Sequence, residues 1–131
     1  MAGSKSDYLE NKILDHTTGK AAYSKPTAYV ALFTAAPSDA GGGTEVSGGS
    51  YARVATAAAD WNAASGGSTS NANPITFATP SGSWGTVTHF GIFDAASGGN
   101  LLWWGSLTAS KTIGSGDTAS FAAGALTLTD D

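Results

Sequence analysis

The sequence predicts a mainly β protein: an antiparallel β-sandwich or jelly-roll-like domain of about seven strands with one short N-terminal helix. Three observations carry this. Residues 84–107 hold two runs rich in β-branched and aromatic residues, separated by Ala95-Ala96-Ser97-Gly98-Gly99-Asn100, which is the pattern of a hairpin. Further short alternating runs recur along the chain between Gly-rich loops. One segment only, residues 6–16, has helical periodicity.

The helix comes first. Asp7 is the expected N-cap, with Glu10 three residues later completing a capping box. Tyr8, Leu9 and Ile13, with Leu14 beside them, form a narrow apolar stripe, and Gly19 is the expected stop. A helix of three turns is marginal alone, so the stripe must dock on its own domain or on a neighbouring subunit. His16 lies near the negative end of the helix dipole, where a cation is favoured.

Residues 27–34 form a strand with Tyr29, Ala31 and Phe33 on one face and Ala28, Val30 and Leu32 on the other. Both faces are apolar, so the strand is expected at the centre of a sheet, ending before Pro37. Residues 38–50 contain Gly41-Gly42-Gly43 and Gly48-Gly49 and read as a loop with nothing to contribute to a core. Residues 51–59 alternate weakly around Arg53 and read as a strand. Residues 62–73 read as a second polar loop and residues 74–79 as a short strand. After the central hairpin, residues 111–117 are a turn-like spacer. Residues 118–129 carry two last alternating runs, with a bulge expected at Gly124. The whole reads as a single domain, 1–131, with residues 1–19 as a helical arm.

Composition narrows the function. Ten acidic and six basic residues give a net charge of −4, which speaks against a nucleic-acid surface. No apolar run approaches the roughly 20 residues of a membrane span. The N-terminus lacks the apolar core of a secretory signal. Without cysteine there is neither a disulfide nor a thiolate metal site. Only 12% of residues are charged, which suggests a surface largely covered by partners.

Catalytic signals are weak. His89 stands mid-strand, with Asp94 and His16 as the nearest conceivable partners, and reads as a structural residue hydrogen-bonded across strands. The carboxylates form no acid/base or metal-binding spacing, so hydrolysis would have to rest on scattered groups such as Glu45, Asp94 or His89. Gly41-Gly42-Gly43 precedes Thr44-Glu45 and no helix, so it is not a phosphate loop. No catalytic residue, cofactor or metal site is expected. Trp61, Trp103 and Trp104 can serve as core, subunit interface or sugar platform. If the adjacent pair lies in a strand, its members point to opposite faces.

Several segments resemble a family of small tailed-bacteriophage virion proteins, often labelled phage tail fibre proteins. They are Ser6-Asp7-Tyr8-Leu9-Glu10-Asn11-Lys12-Ile13-Leu14-Asp15-His16, then Tyr29-Val30-Ala31-Leu32-Phe33-Thr34 with Pro37, then Tyr51-Ala52-Arg53. Residues 84–94 and Gly99-Asn100-Leu101-Leu102-Trp103-Trp104-Gly105 complete the match. The resemblance implies a non-enzymatic particle component, made in the host cytoplasm and carried on the virion surface. A fibre shaft needs repeats or coiled coils, and this chain has neither. The leading expectation is therefore a capsid decoration (cement) protein. It would adhere to copies of itself, as a trimer for example, and to other virion proteins such as the major capsid protein. The alternative is a tail or tail-fibre module with lectin-like binding of host surface glycan. The interface candidates are Tyr8, Leu9, Ile13, Trp61, Trp103 and Trp104.

Overall fold

A computed structural model describes residues 3–130. The central element is a six-stranded antiparallel sheet. Its strands are β1 (Gly3–Lys5), β2 (Tyr29–Ala35), β3 (Thr44–Glu45), β4 (Val54–Ala55), β7 (Gly85–Phe93) and β8 (Leu101–Ile113). Their order is β1-β8-β7-β2, with β3 and β4 pairing in succession along the far edge of β2. The remaining strands form two ribbons, β5 (Ser68–Ser70) with β10 (Thr127–Thr129) and β6 (Ile75–Thr76) with β9 (Ser120–Phe121). One helix, α1 (Asp7–Thr17), follows β1.

The mainly β, antiparallel class with one N-terminal helix holds, and so do the central position of β2 and the β7–β8 hairpin. Val30, Leu32, Val87, Phe90, Ile92 and Leu102 belong to the core cluster, which also holds Ile75, Phe77, Phe121 and Leu126 from the ribbon region. Two β layers with side chains meeting between them make a sandwich-like core. Leu126, Phe90, Val30 and Val87 are fully buried in it.

β7 and β8 are not evenly matched. Val87 pairs with Lys111 and His89 with Ser106, so β7 advances two residues while β8 advances five. Residues 107–110 carry this excess as an irregularity in the ladder, which increases local twist. At the other end Ala31 faces Gly91 across β2 and β7. A Cβ on Gly91 would lie 2.7 Å from the Phe33 ring and 3.1 Å from Leu101, so only glycine lets those side chains close over the strand.

Several expectations are corrected. The helix begins one residue earlier than the capping-box reading requires. Its N-cap is Ser6, whose hydroxyl accepts the Leu9 N–H at 3.2 Å and donates to the Leu101 carbonyl. Ser6 is thus a cap and a tether to β8, and Asp7 is the first helical residue. Gly19 does stop the helix. Its φ is +80°, and Gly19 and Lys20 donate to the carbonyls of His16 and Asp15, a Schellman ending. His16 lies in the last turn of α1, as expected, and its ring accepts the Tyr23 N–H through Nδ1 at 3.1 Å.

The loop at residues 38–50 contains β3, and its Val46 is buried in the core. The expected strand at residues 51–59 shrinks to β4 and a 3₁₀ turn at Ala58–Asp60. The expected loop at residues 62–73 contains β5 and a fully buried Asn71. β8 runs to Ile113, well into the expected spacer. Gly124 lies in a turn closed by Ala125 N–H to Ala122 O, not in a bulge. There are ten strands among the described residues, because the ribbons are built from pieces too short to show periodicity.

Asn71 organises the ribbon region. Its amide nitrogen donates to the carbonyls of Asn73 and Ala122, each at 2.9 Å, and its oxygen accepts the Leu126 N–H at 2.9 Å. It replaces a missing strand pairing with side-chain bonds. Replacing Asn71 with Leu strands those backbone groups in the interior, at a cost of roughly 2–5 kcal/mol. Urea unfolding followed by circular dichroism is expected to show that loss with an unchanged m-value.

Candidate functional site

The second face of the central sheet has no second sheet over it. It is covered by the glycine-rich loop before β3, by the tip of the β7–β8 hairpin and by the start of α1. An open cleft of about 430 Å³ remains between them. Its apolar side is formed by Phe33, Phe93 and Leu101, with the two phenyl rings stacked at 6.1 Å and 13°.

Arg53 and Glu45 form one wall. The Arg53 side chain is 7% exposed. Its Nε and Nη2 grip the Glu45 carboxylate at 2.9 and 2.8 Å. Nη1 donates to the carbonyls of Ala95 and Gly98, both at 2.8 Å, and the guanidinium lies 3.6 Å over the Phe93 ring. One arginine therefore joins the edge of β2 to the hairpin tip by ion pairing, backbone bonds and stacking. The tip is itself closed by Asp94, which accepts the Asn100 backbone N–H at 2.7 Å and its side-chain amide at 3.0 Å.

Tyr51 extends this network inward. Its hydroxyl donates to Glu45 at 2.7 Å and accepts the Leu32 N–H at 3.0 Å. Burial pushes the phenol above the usual tyrosine range, and the bond to Glu45 adds to the effect. Both Glu45 oxygens are thereby engaged. The opposite wall is pinned by Asp39, whose Oδ1 accepts from Trp104 Nε1 at 2.9 Å and from Ser4 Oγ at 3.1 Å. The Asp39 carbonyl also accepts the Asp7 N–H at 2.8 Å, joining the loop to the helix start.

The interface candidates are scattered. Leu9 is buried within its own core, Tyr8 is half-buried at the cleft, and Ile13 is 39% exposed. Leu14, beside this stripe, is 61% exposed. Trp103 packs against the core with a buried Nε1 that lacks a partner, whereas Trp104 lies on the cleft face, with its ring centroid 6.2 Å from that of His89. Their opposite orientation follows the strand geometry. Trp61 is elsewhere, half-buried, donating from Nε1 to Thr56 Oγ1 at 2.9 Å. No common tryptophan platform results. His89 Nδ1 bonds to the neighbouring Thr88 hydroxyl at 2.8 Å, a correction to the expected cross-strand bond. Among the described residues no three His, Cys, Asp or Glu side chains converge as a metal-binding set.

Sequence reasoning missed the Arg53–Glu45–Tyr51 network. The available signal was Tyr51-Ala52-Arg53: a phenol and a guanidinium two residues apart, hence on one side of an extended segment, in a chain with few charges.

The Tyr51 hydroxyl makes a testable contribution. Tyr51→Phe removes two hydrogen bonds and is expected to cost about 1–3 kcal/mol near neutral pH. Because folding raises the phenol pKa, the unfolded chain ionises this group first as pH rises. Its contribution is complete below the unfolded value of about 10 and declines above it. The stability gap between wild type and Tyr51→Phe is therefore expected to close at alkaline pH in denaturant titrations.

No curated protein matches this sequence. A family model described as "Podophage GP4 fiber I protein gp80" matches residues 4–129. The match takes in the helix, the central sheet, both ribbons and every wall of the cleft. With nearly its whole length matched, the chain belongs to this podophage fibre protein family.

Proposed function

We propose that the chain is a non-catalytic module of a phage fibre, mounted on the particle exterior and working by adhesion. The family match over residues 4–129 carries this reading and favours the fibre over capsid decoration. The chemistry agrees with it: Glu45 is held by Arg53 and Tyr51, and His89 is bonded to Thr88, with no carboxylate partner among the described residues.

Attachment would use two exposed features. Ile13 and Leu14 leave an apolar strip on α1. Among the described residues β1 pairs with β8 between Trp103 and Gly105, and no described strand pairs with the outer edge of β8 towards Ile113, which leaves it as a candidate for another strand. Copies of the same chain or neighbouring fibre components would cover them.

Cryo-electron microscopy of the particle tests the location. Density for this fold on the fibres is the expected result, and density confined to the capsid shell would overturn the fibre assignment. The double variant Ile13→Asp/Leu14→Asp tests the mode of attachment. It should cost no more than about 1–2 kcal/mol of stability, since both residues are exposed and the penalty is limited to helix propensity and two carboxylates near the negative end of α1. Its incorporation into particles should fall sharply.

A further inference from the structure

We infer that copies of this chain join head to tail, with Leu14 on α1 of one copy entering an apolar pocket beside the C-terminal half of β8 on the next. For its biological setting the inference rests on the fibre reading above. The pocket lies between β8 and β9 and has a volume of about 60 Å³. Leu32, Phe77, Val87, Ile113 and Phe121, all buried, form its floor. Leu107 and Lys111 bound its β8 side, where that strand carries its excess residues over β7. One water needs roughly 10–15 Å³, so the pocket admits about four such groups, the carbon count of a Leu side chain. The floor side chains are apolar, so water gains little there and an aliphatic group fills the space better.

Among the described residues Ile13 and Leu14 are the large apolar side chains left exposed, and Leu14 is the more exposed of the two. Glu10 precedes Ile13 by three residues and Leu14 by four, so the three share one face of α1. Lys12 is turned to another side, over the Tyr8 ring at 5.5 Å. The knob therefore has an acid beside it. The pocket has a base: Lys111 is exposed and makes no ion pair among the described residues. With Leu14 seated, Glu10 one helical turn away has the right sign to face Lys111. One copy cannot make this contact with itself. α1 is tethered through Ser6 to the Leu101 end of β8, and Tyr8 lines the cleft beside the hairpin tip. Leu107, at the near side of the pocket, is six residues further along β8, roughly 20 Å away at about 3.3 Å per residue. Knob and pocket are thus different patches on separate parts of the molecule. A contact between unlike patches leaves a free knob at one end of an open assembly and a free pocket at the other, so copies add in series. Stacked copies would supply the length that a chain without internal repeats lacks.

Sedimentation velocity of the purified full chain tests this between about 10 μM and about 1 mM, the range in which so small a contact is expected to associate. The wild type should form dimers and then longer species as concentration rises. Leu14→Asp removes the knob, and Thr118→Trp, at an exposed position of the pocket lining, covers the hole. Each variant alone should stay monomeric. Mixed in equal amounts they should form a one-to-one dimer and nothing longer, because the first keeps its pocket and the second its knob. Glu10→Lys and Lys111→Glu should each weaken association about tenfold, and both reversals in one chain should restore it. Circular dichroism of every variant should match the wild type, and if a blocking variant unfolds, the charge-reversal set decides alone. A wild type that stays monomeric, an assembly that stops at a dimer, mixed blocking variants that sediment as separate monomers, or a doubly reversed chain that stays weakened would overturn the inference. Serial association of a chain located on the capsid shell would keep this inference and remove the fibre reading. A fibre-located chain that stays monomeric would do the reverse.

Discussion

The structure depends on β2 being apolar on both faces. Val30 and Leu32 point into the core shared with the ribbons, while Phe33 points the other way. A strand of this kind is stable only when both sides are shielded from water. The C-terminal ribbons shield the first side by ordinary packing. The second side has loops instead of a sheet. Loops bury few apolar atoms, so polar anchors must hold them in place, and Arg53 and Asp39 are those anchors. The cleft follows from this division: two anchored flaps over an aromatic surface leave a gap between them.

Arg53 has a cost as well as a use. Taking a guanidinium and a carboxylate out of water is unfavourable, and a buried ion pair seldom adds net stability over an apolar replacement. It gains in specificity. The bidentate grip on Glu45, the two carbonyls of the hairpin tip and the Phe93 ring together admit one relative placement of β3, β4 and the tip. Lys5 and Asp130 also join distant segments, with Nζ 2.9 Å from Oδ1, but that pair is exposed enough for salt and water to weaken it. The fold therefore relies on the Arg53 cluster for geometry and on the Phe90, Val30 and Leu126 core for energy.

The sequence displayed whatever repeats often enough to form a pattern. β2 and the β7–β8 hairpin showed because their apolar and aromatic residues alternate over seven residues or more. The helix showed through the spacing of Leu9 and Ile13. Its start was displaced by one residue because Ser6 and Asp7 are both competent caps, and the deciding bond, Ser6 to Leu101, is long-range. β3, β4, β6 and β9 are two residues each and have no period to detect. The burial of Asn71 was hidden for a different reason. Nothing local marks an asparagine whose partners are Ala122 and Leu126, some fifty residues away. The cleft was hidden in the same way, since its lining comes from five separated segments that are brought together by long-range bonds such as those of Arg53 and Asp39.

The proposed adhesion needs surfaces that do not satisfy themselves, and this chain has two unlike ones, an apolar strip on α1 and the open cleft. Ile13 and Leu14 are apolar, exposed and on the helix, so their natural complement is another protein surface. The cleft is polar at its walls and apolar at one side. Ser6 connects the two regions. It caps α1 and bonds to the Leu101 carbonyl at the cleft, so the helix cannot shift along β8 without disturbing the Leu101 side. Attachment through the outer face of α1 leaves that anchor untouched, because Ser6 is buried on the inner side. The same helix thus presents an apolar strip on one face and holds the cleft in shape on the other.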